Sequence, residues 1–523
     1  MRSTFMGLEA SKKGLFVQQS ALYTTGHNIS NANTDGYSRQ RVNMQATPGF
    51  PYPGLNSPQY PGHLGTGVEA SSIQRIRDEF IDRQYRQETN KLGYWDSTIK
   101  SINQMEDILS EPSEFGIDQA FTDFWRSFQD LSTQPDDSAA RKVAIAKAEA
   151  LADAFNYNYT QLETIQGNLG NEIAVSSKQI NTILEKIAAI NEQVAALEPN
   201  GYVTNDLYDA RDLLVDELNE YIPVSIERVP SSGRASEVAE GTLKITFSAN
   251  GQDVVLVDGK HSAKVSILDD QNNQIDSAID VNDKYALFKS LSFVEAKTNT
   301  TVDYEYGDLE ASHTSRGKLM ALIDAYGHAD ADKNGSFGIY PNMMNELNKV
   351  AESFVKAFND LHSKGFTLTS GADTSHDGEV FFDINGTTAK TIKVDQNIID
   401  KPHLIAASTG VGEEGNGKYA MLLSNLQFTA NADLGGFTFQ DYYTGMIGDL
   451  AVTGDKASTN QFNAQTQMIT VSNNRASMSS VSLDEEMTNM ITFQQAYNAN
   501  ARMITVIDET LDKIINGMGR VGL

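Results

Sequence analysis

Few residues in this 523-residue chain stand in a spacing that could do chemistry. Gly410-Val-Gly412-Glu-Glu-Gly415 has the glycine spacing of a dinucleotide-binding turn, and Gly412 to Lys418 spell most of a phosphate-cradling loop. Such loops turn backbone N–H groups onto a phosphate and place a hydroxyl on its magnesium. Here Glu413 and Glu414 would face the anion and Tyr419 stands where Ser or Thr is required, so the run reads as a glycine-rich turn. Asp330-Ala-Asp332-Lys-Asn334-Gly335 begins like a calcium loop, yet Pro341 fills its twelfth position, where a bidentate carboxylate is needed. A solvated turn accounts for Asp330–Gly335, with no heat of calcium binding expected at micromolar concentrations. The eight histidines are scattered without metal-ligand spacing. Ser375-His-Asp377 are sequence neighbours, whereas a nucleophilic triad converges from separated positions. Asp484-Glu485-Glu486 are adjacent on one helix, where they cannot flank a bond but do suit a helix N-terminus. No catalytic, cofactor-binding or metal-binding set is expected.

The bulk numbers narrow the partners. A net charge of -28 leaves no clustered Lys and Arg for phosphate backbones and disfavours anionic membrane surfaces. Spread over a composition that is 40% hydrophobic, the acidity reads as solubility of an exposed or extracellular protein rather than as disorder. With no cysteine, disulfides, thiolate zinc sites and thiol nucleophiles are all excluded. No stretch approaches a membrane span, and Lys12, Lys13, Gln18 and Gln19 interrupt the only apolar run near the N-terminus. A cleaved signal peptide is not expected, so an exported chain would leave by another route.

The elements themselves carry the strongest pattern. Ile469, Ala476, Leu483, Met490, Tyr497, Ile504, Leu511 and Met518 recur every seven residues at the C-terminus, and Leu8, Leu15, Leu22 and Ile29 do so at the N-terminus. A seven-residue repeat keeps one stripe on one face of a helix, so each terminus offers a seam. The second position of each seam is polar or small, with Ser11, Gln18 and Thr25 in one and Asn473, Ser480, Met487, Gln494 and Ala501 in the other. Such a helix needs neighbouring helices to be ordered.

Between the termini, Asn31–Tyr37 is a run of turn formers with Gly36 suited to a left-handed backbone, and residues 48–67 carry five of the twelve prolines. Helical spacing fills about 70–220. One stripe there is Ile173, Ile180, Ile187 and Val194 and a second is Ile183, Ile190 and Leu197, followed by a helix capped by Asn205 with Leu207, Leu214, Leu218 and Ile222 inward. Alternation takes over at Leu243–Phe247 and Val254–Val257 and again around Val380–Ile405. The expected fold is α+β and multidomain: terminal helices pairing as a coiled coil, a long-helix bundle rod, and inserted β-rich outer domains. The expected domains are 1–36 with 477–523 as a terminal helical assembly core and 37–84 as an extended linker. They continue with 85–223, 313–365 and 416–476 as the rod, 224–312 as an inserted β domain, and 366–415 as a small β-rich segment.

Asn28-Ile-Ser-Asn-Ala-Asn-Thr-Asp-Gly-Tyr-Ser-Arg-Gln40 resembles the N-terminal motif of bacterial flagellar axial proteins, with Ser30 in place of an alanine. Leu483 to Arg502 looks like the matching C-terminal signature, and Asp209-Ala-Arg-Asp212 within Asn205–Leu218 resembles an interior helix of the family's hook–filament junction members. The resemblance implies a self-assembling structural subunit, exported unfolded by the flagellar type III pathway and placed outside the cell at the hook tip. It implies as partners other copies in a junction ring, the hook protein, the filament-proximal hook-associated protein, and an export chaperone on the C-terminal helix, with neither nucleic acid nor membrane insertion. The expected assembly interface is Leu8, Leu15, Leu22, Ile29, Leu483, Met487, Met490, Tyr497, Ile504, Leu511 and Met518. The family turn motif is Asn31, Asn33, Thr34, Gly36, Tyr37, Arg39 and Gln40. Alternatives are another axial subunit, such as the hook protein or the filament-proximal junction protein, and a secreted enzyme or glycan-binding protein acting through its β domain.

Overall fold

The computed structural model describes residues 4–50, 65–109, 116–270, 272–274, 287–312, 316–330, 333–368 and 379–517. The first helix, α1 (Thr4–Ser30), stops at the Asn31–Tyr37 turn, where Gly36 takes a φ of +77° and an added side chain would press on Leu213 at 3.3 Å. The chain then forms an antiparallel hairpin, β1 (Gln40–Ala46) with β2 (Val68–Arg75), lying on α1. The helix α2 (Glu79–Ile108) begins at once, its first N–H groups capped by the Asp78 carboxylate. The described parts of 37–84 are therefore a paired hairpin and the start of a helix rather than an extended linker. The hairpin escaped notice because its strands are polar and half-buried, without the alternation that marks a strand packed on a core. Most of the proline run, 51–64, lies outside the described residues.

Long helices make the body: α3 (Ile117–Thr133), α4 (Ser138–Leu197) and α5 (Asn205–Tyr221). In α4 the stripe Ile173, Ile180, Ile187 and Val194 is fully buried. The second stripe drifts outward, from buried Ile183 through half-buried Ile190 to exposed Leu197, because an untwisted α-helix turns away from a strict heptad. The residue before α5 is Thr204, and Asn205 does not cap the helix: its side-chain amide donates to the Ile73 carbonyl and to the Gln40 side chain. The inward face of α5 is Tyr208, Arg211, Val215 and Leu218, with Leu207 and Leu214 only half-buried.

Two sheets follow. β3 (Ser225–Val229), β4 (Thr242–Ala249), β5 (Gln252–Asp258) and β6 (His261–Ser262) form an antiparallel meander. β7 (Lys264–Asp269), β8 (Phe288–Val294) and β9 (Thr301–Glu305) begin a second sheet. After α6 (Tyr306–Ser312) and α7 (Gly317–Tyr326), β10 (His328–Asp330) and β11 (Lys333–Phe337) complete it. The second sheet thus takes strands from beyond residue 312, in a stretch expected to be helical. Asparagines on α4 dock both sheets by mimicking a paired strand: Asn191 donates to the Leu243 carbonyl (2.9 Å) and accepts from its N–H (3.1 Å). Asn181 does the same with Val265, both at 2.8 Å.

The body is closed by α8 (Ile339–His362), α9 (Gln396–Asp400), α10 (Lys418–Ser424) and α11 (Phe439–Ser479), and α12 (Leu483–Gly517) returns to α1. Its centre is aromatic: Phe121, Phe124, Trp125, Phe128, Phe354 and Phe358 are all buried, with the rings of Phe124 and Phe354 5.5 Å apart. Described residues within 366–415 form no strand, only isolated bridges at Phe366–Ser408 and Phe382–Val394, so this segment is not β-rich. Side chains satisfy its backbone instead. Asn359 bonds Phe381 and Phe382, the Arg141 guanidinium donates to the Ile405 carbonyl, and His362 bridges the Glu379 carbonyl and the Ala406 N–H.

His362 is fully buried, accepts from Ala406 at Nε2 (3.0 Å) and donates from Nδ1 to Glu379 (2.6 Å). Protonation would point a second N–H at an N–H, and burial pushes its pKa from 6.5 down to about 4. The unfolded chain takes up this proton between those values and the folded chain does not. Stability is accordingly expected to fall with pH through that window, by roughly 3 kcal/mol at most. Urea unfolding measured above and below the window should show the loss, and His362→Gln should reduce it.

Candidate functional site

The two chain ends meet as an antiparallel helix pair. A side chain at Gly7 would meet Ile507 at 3.4 Å, one at Gly14 would meet Asn500 at 2.9 Å, and Asn28 donates to Glu486 at 3.2 Å. The contacts advance by seven along α1 as they retreat by seven along α12, and Ala21, 1% exposed, occupies the intervening step on α1. The seam has the expected period but lies one residue before the leucine stripe of α1. Small residues there let the backbones approach, with larger ones opposite. Leu8, Leu15, Leu22 and Ile29 are half-buried beside it.

Beneath the pair, the turn residues are strapped to the body. Asn28 accepts from the Tyr37 hydroxyl (2.8 Å) and the Gln40 N–H (3.0 Å). The Ser38 N–H donates to Asp209 at 3.0 Å, and the Gln40 side chain donates to Asp206 at 2.9 Å. Burial, reinforced by Asp206, Asp209 and Glu486, pushes the Tyr37 phenol up, so it stays protonated and able to donate. Behind lies a buried ionic joint on α5. Arg75 reaches Asp209 (2.7 Å), Asp212 (2.9 Å) and Glu240 (2.6 Å); Arg77 joins Asp212 to Asp82; and Arg86 joins Asp212 to Asp216. Arg475, near the end of α11, pairs with Asp82 (2.8 Å) and Asp216 (2.7 Å). Burial opposes the Asp212 charge, but Arg75, Arg77, Arg86 and Arg211 outweigh it and hold its carboxyl well below the usual range. At Asp209 burial wins, and its carboxyl is raised.

Residues 102–382 match the family profile of the flagellar hook-associated protein FlgK helical domain, and 472–517 match the C-terminal profile of the flagellar basal body rod FlgEFG proteins. Along 99% of its length the chain is 38% identical to flagellar hook-associated protein 1 of Bacillus subtilis, covering 99% of that protein. The chain belongs to the flagellar hook-associated protein 1 family. Its members from Escherichia coli and Salmonella typhimurium are 26% and 27% identical, each aligned over 96% of this chain and 98% of their own. The solved flagellar hook junction protein FlgK from Burkholderia pseudomallei shares the fold, with a TM-score of 0.55 at 13% identity over 76% of this chain and 100% of that one.

Against this family background, the expected interface residues divide. Leu483 (47% exposed), Met487 (51%) and Met490 (36%) stand in solvent with Ile491 beside them, while Tyr497, Ile504 and Leu511 are half-buried along the edge of the seam. Met518 lies outside the described residues. Ile469 and Ala476, expected on the same helix, belong to α11, because the chain leaves helical geometry at Ser480–Ser482. The opposite face of α1 also carries large exposed rings, Phe16 and Tyr23, seven residues apart. Within the turn motif, Asn31 accepts from Thr34 (3.2 Å), Asn33 is exposed, Arg39 donates to Glu486 on α12 (2.7 Å), and Gln40 donates to Asp206 on α5 (2.9 Å).

The tempting motifs have structural uses. Glu413 folds back over Gly410 and accepts from Asn416, filling the place a phosphate would need, and a side chain on Gly417 would lie 1.9 Å from the Ser132 carbonyl. Ser375-His-Asp377 and the side chains of Asp330–Gly335 lie outside what is described. Among the described residues no group of His, Asp and Glu could hold a metal, and no helix is long and apolar enough to cross a membrane. Sequence reasoning missed Gly7, Gly14 and Ala21 because it followed large apolar residues, and it placed Asn28 in the N-terminal motif rather than in the seam. The signal was available in the small residues spaced by seven. It also missed Arg75, Arg77 and Arg475, whose partners are far away in sequence.

Proposed function

We propose that this protein is a structural subunit of the bacterial flagellum that self-assembles at the hook tip and joins hook to filament, reaching that place by the flagellar type III route. Its neighbours are other copies in a junction ring, the hook protein and the filament-proximal hook-associated protein, with an export chaperone on α12 beforehand. The observation that carries the reading is the terminal helix pair: α1 and α12 turn large apolar side chains to water along their length, the mark of a surface that another chain covers. Leu8, Leu15, Leu22, Ile29, Leu483, Met487, Met490, Tyr497, Ile504, Leu511 and Met518 are its proposed contacts. No catalytic role is proposed. Of the aromatic rings of the β region, Phe247 and Phe293 stack on each other and Tyr304 meets both edge-on in the interior, which removes them as a glycan platform. Thiol labelling of a cysteine placed at Met490 tests the reading, since that position should react in the free chain and be shielded in the assembled junction.

A further inference from the structure

We infer that Arg39 is a clasp across the break between α11 and α12, a positioning residue that sets the angle at which the terminal helix pair leaves the body. At Ser480 the backbone turns extended, with ψ of 155°, and helical geometry resumes only at Leu483. The last carbonyls of α11 are left without helical partners. One of them, Ser479, accepts the Arg39 N–H at 2.9 Å. Across the break, the Arg39 side chain donates from Nε to Glu486 (2.7 Å) and from its terminal nitrogen to Glu485 (2.9 Å), both in the first turn of α12.

The two sides of the break are otherwise tied to different things. The end of α11 belongs to the body, through Arg475 on Asp82 and Asp216. The start of α12 belongs to α1, through Asn28 on Glu486, a carboxylate only 2% exposed. Among the described residues, Arg39 is the one whose hydrogen bonds reach both. Its own backbone is fixed, because its carbonyl accepts from the Ile76 N–H (2.8 Å) and its neighbour Ser38 is held by Asp209. A break of a few residues absorbs large backbone rotations unless something spans it. Charge-assisted bonds to a buried carboxylate are strong enough to do so. The inference concerns the single chain and does not depend on what the helix pair assembles with.

The test uses the full chain with spin labels on cysteines at Phe462 and Met503, exposed positions on α11 and α12. Electron–electron distance measurements should give one narrow distribution in the otherwise unaltered chain and a clearly broader one in Arg39→Ala. Hydrogen exchange at residues 486–489, the first amides of α12 that are hydrogen-bonded, should rise about tenfold in the same variant, as expected for losing a charged hydrogen bond. An unchanged width together with unchanged exchange, in a variant of normal helicity, overturns the inference. Should Arg39→Ala fail to fold, Glu485→Gln with Glu486→Gln takes its place: broadening supports the clasp, and an unchanged distribution overturns it.

Discussion

Deletion of residues 484–523 is expected to leave a soluble chain with an intact helical body that cannot join hook to filament. Among the described residues of α12 only Glu486 is buried, so the aromatic core around Phe124 and Phe354 loses nothing when α12 goes. What disappears is the partner of Gly7, Gly14 and Asn28 and the exposed face from Met487 to Ile491. Helicity measured by circular dichroism should fall by the deleted helix and by the part of α1 that loses its partner, and the melting transition of the body should stay in place. Electron microscopy should show hooks without filaments. Normal motility from this truncation would contradict the assignment of the assembly surface.

Asp212→Ala is expected to produce the largest loss of stability from a single substitution at the joint. The carboxylate is buried and lies within ion-pair distance of Arg75, Arg77 and Arg86, which come from β2, the segment after it, and α2. Removing it leaves three guanidinium groups short of a partner at a buried position, a change that costs about 3 to 5 kcal/mol. Exposed pairs such as Lys390 with Glu163 should contribute about 0 to 1 kcal/mol by comparison. Urea unfolding of the two alanine variants, Asp212→Ala and Glu163→Ala, separates these cases. Asp212→Asn should recover part of the loss, because the amide keeps one acceptor for the arginines. An Asp212→Ala chain as stable as the parent would mean that the joint is solvated rather than sealed.

The sequence reading was strongest where one physical signal dominates. The buried stripe of α4 from Ile173 to Val194 and the strand at Leu243–Phe247 follow from periodicity, since burial on one face requires it, and the strand at Val254–Val257 follows from a short apolar run between turns. The left-handed Gly36 follows from the turn chemistry around it. Legibility failed where backbone groups are served by side chains from afar. The 366–415 segment alternates like a strand, but Asn359, His362 and Arg141 satisfy it from helices, so it needs no sheet. The β1–β2 hairpin was hidden by its polar faces, and the β10–β11 pair by its brevity.

The site was half legible. The period of seven at both ends points to paired helices, and the apolar stripes mark faces that flank the seam. The seam itself is built from glycine, alanine and asparagine, which hydrophobicity does not register. The charged joint is a matter of tertiary placement: Arg75 and Asp212 are distant in sequence, and nothing local in either segment announces the other.

The central claim, that the exposed face of α12 is covered by neighbouring chains, is tested most directly by solvent access to that face in the free and assembled states. The chain contains no cysteine, so Met490→Cys supplies a single reporter thiol. Rapid labelling of the free variant, together with strong protection once it is built into hook–filament junctions, is the predicted result. Equal labelling in both states, in a variant that assembles normally, would contradict the account.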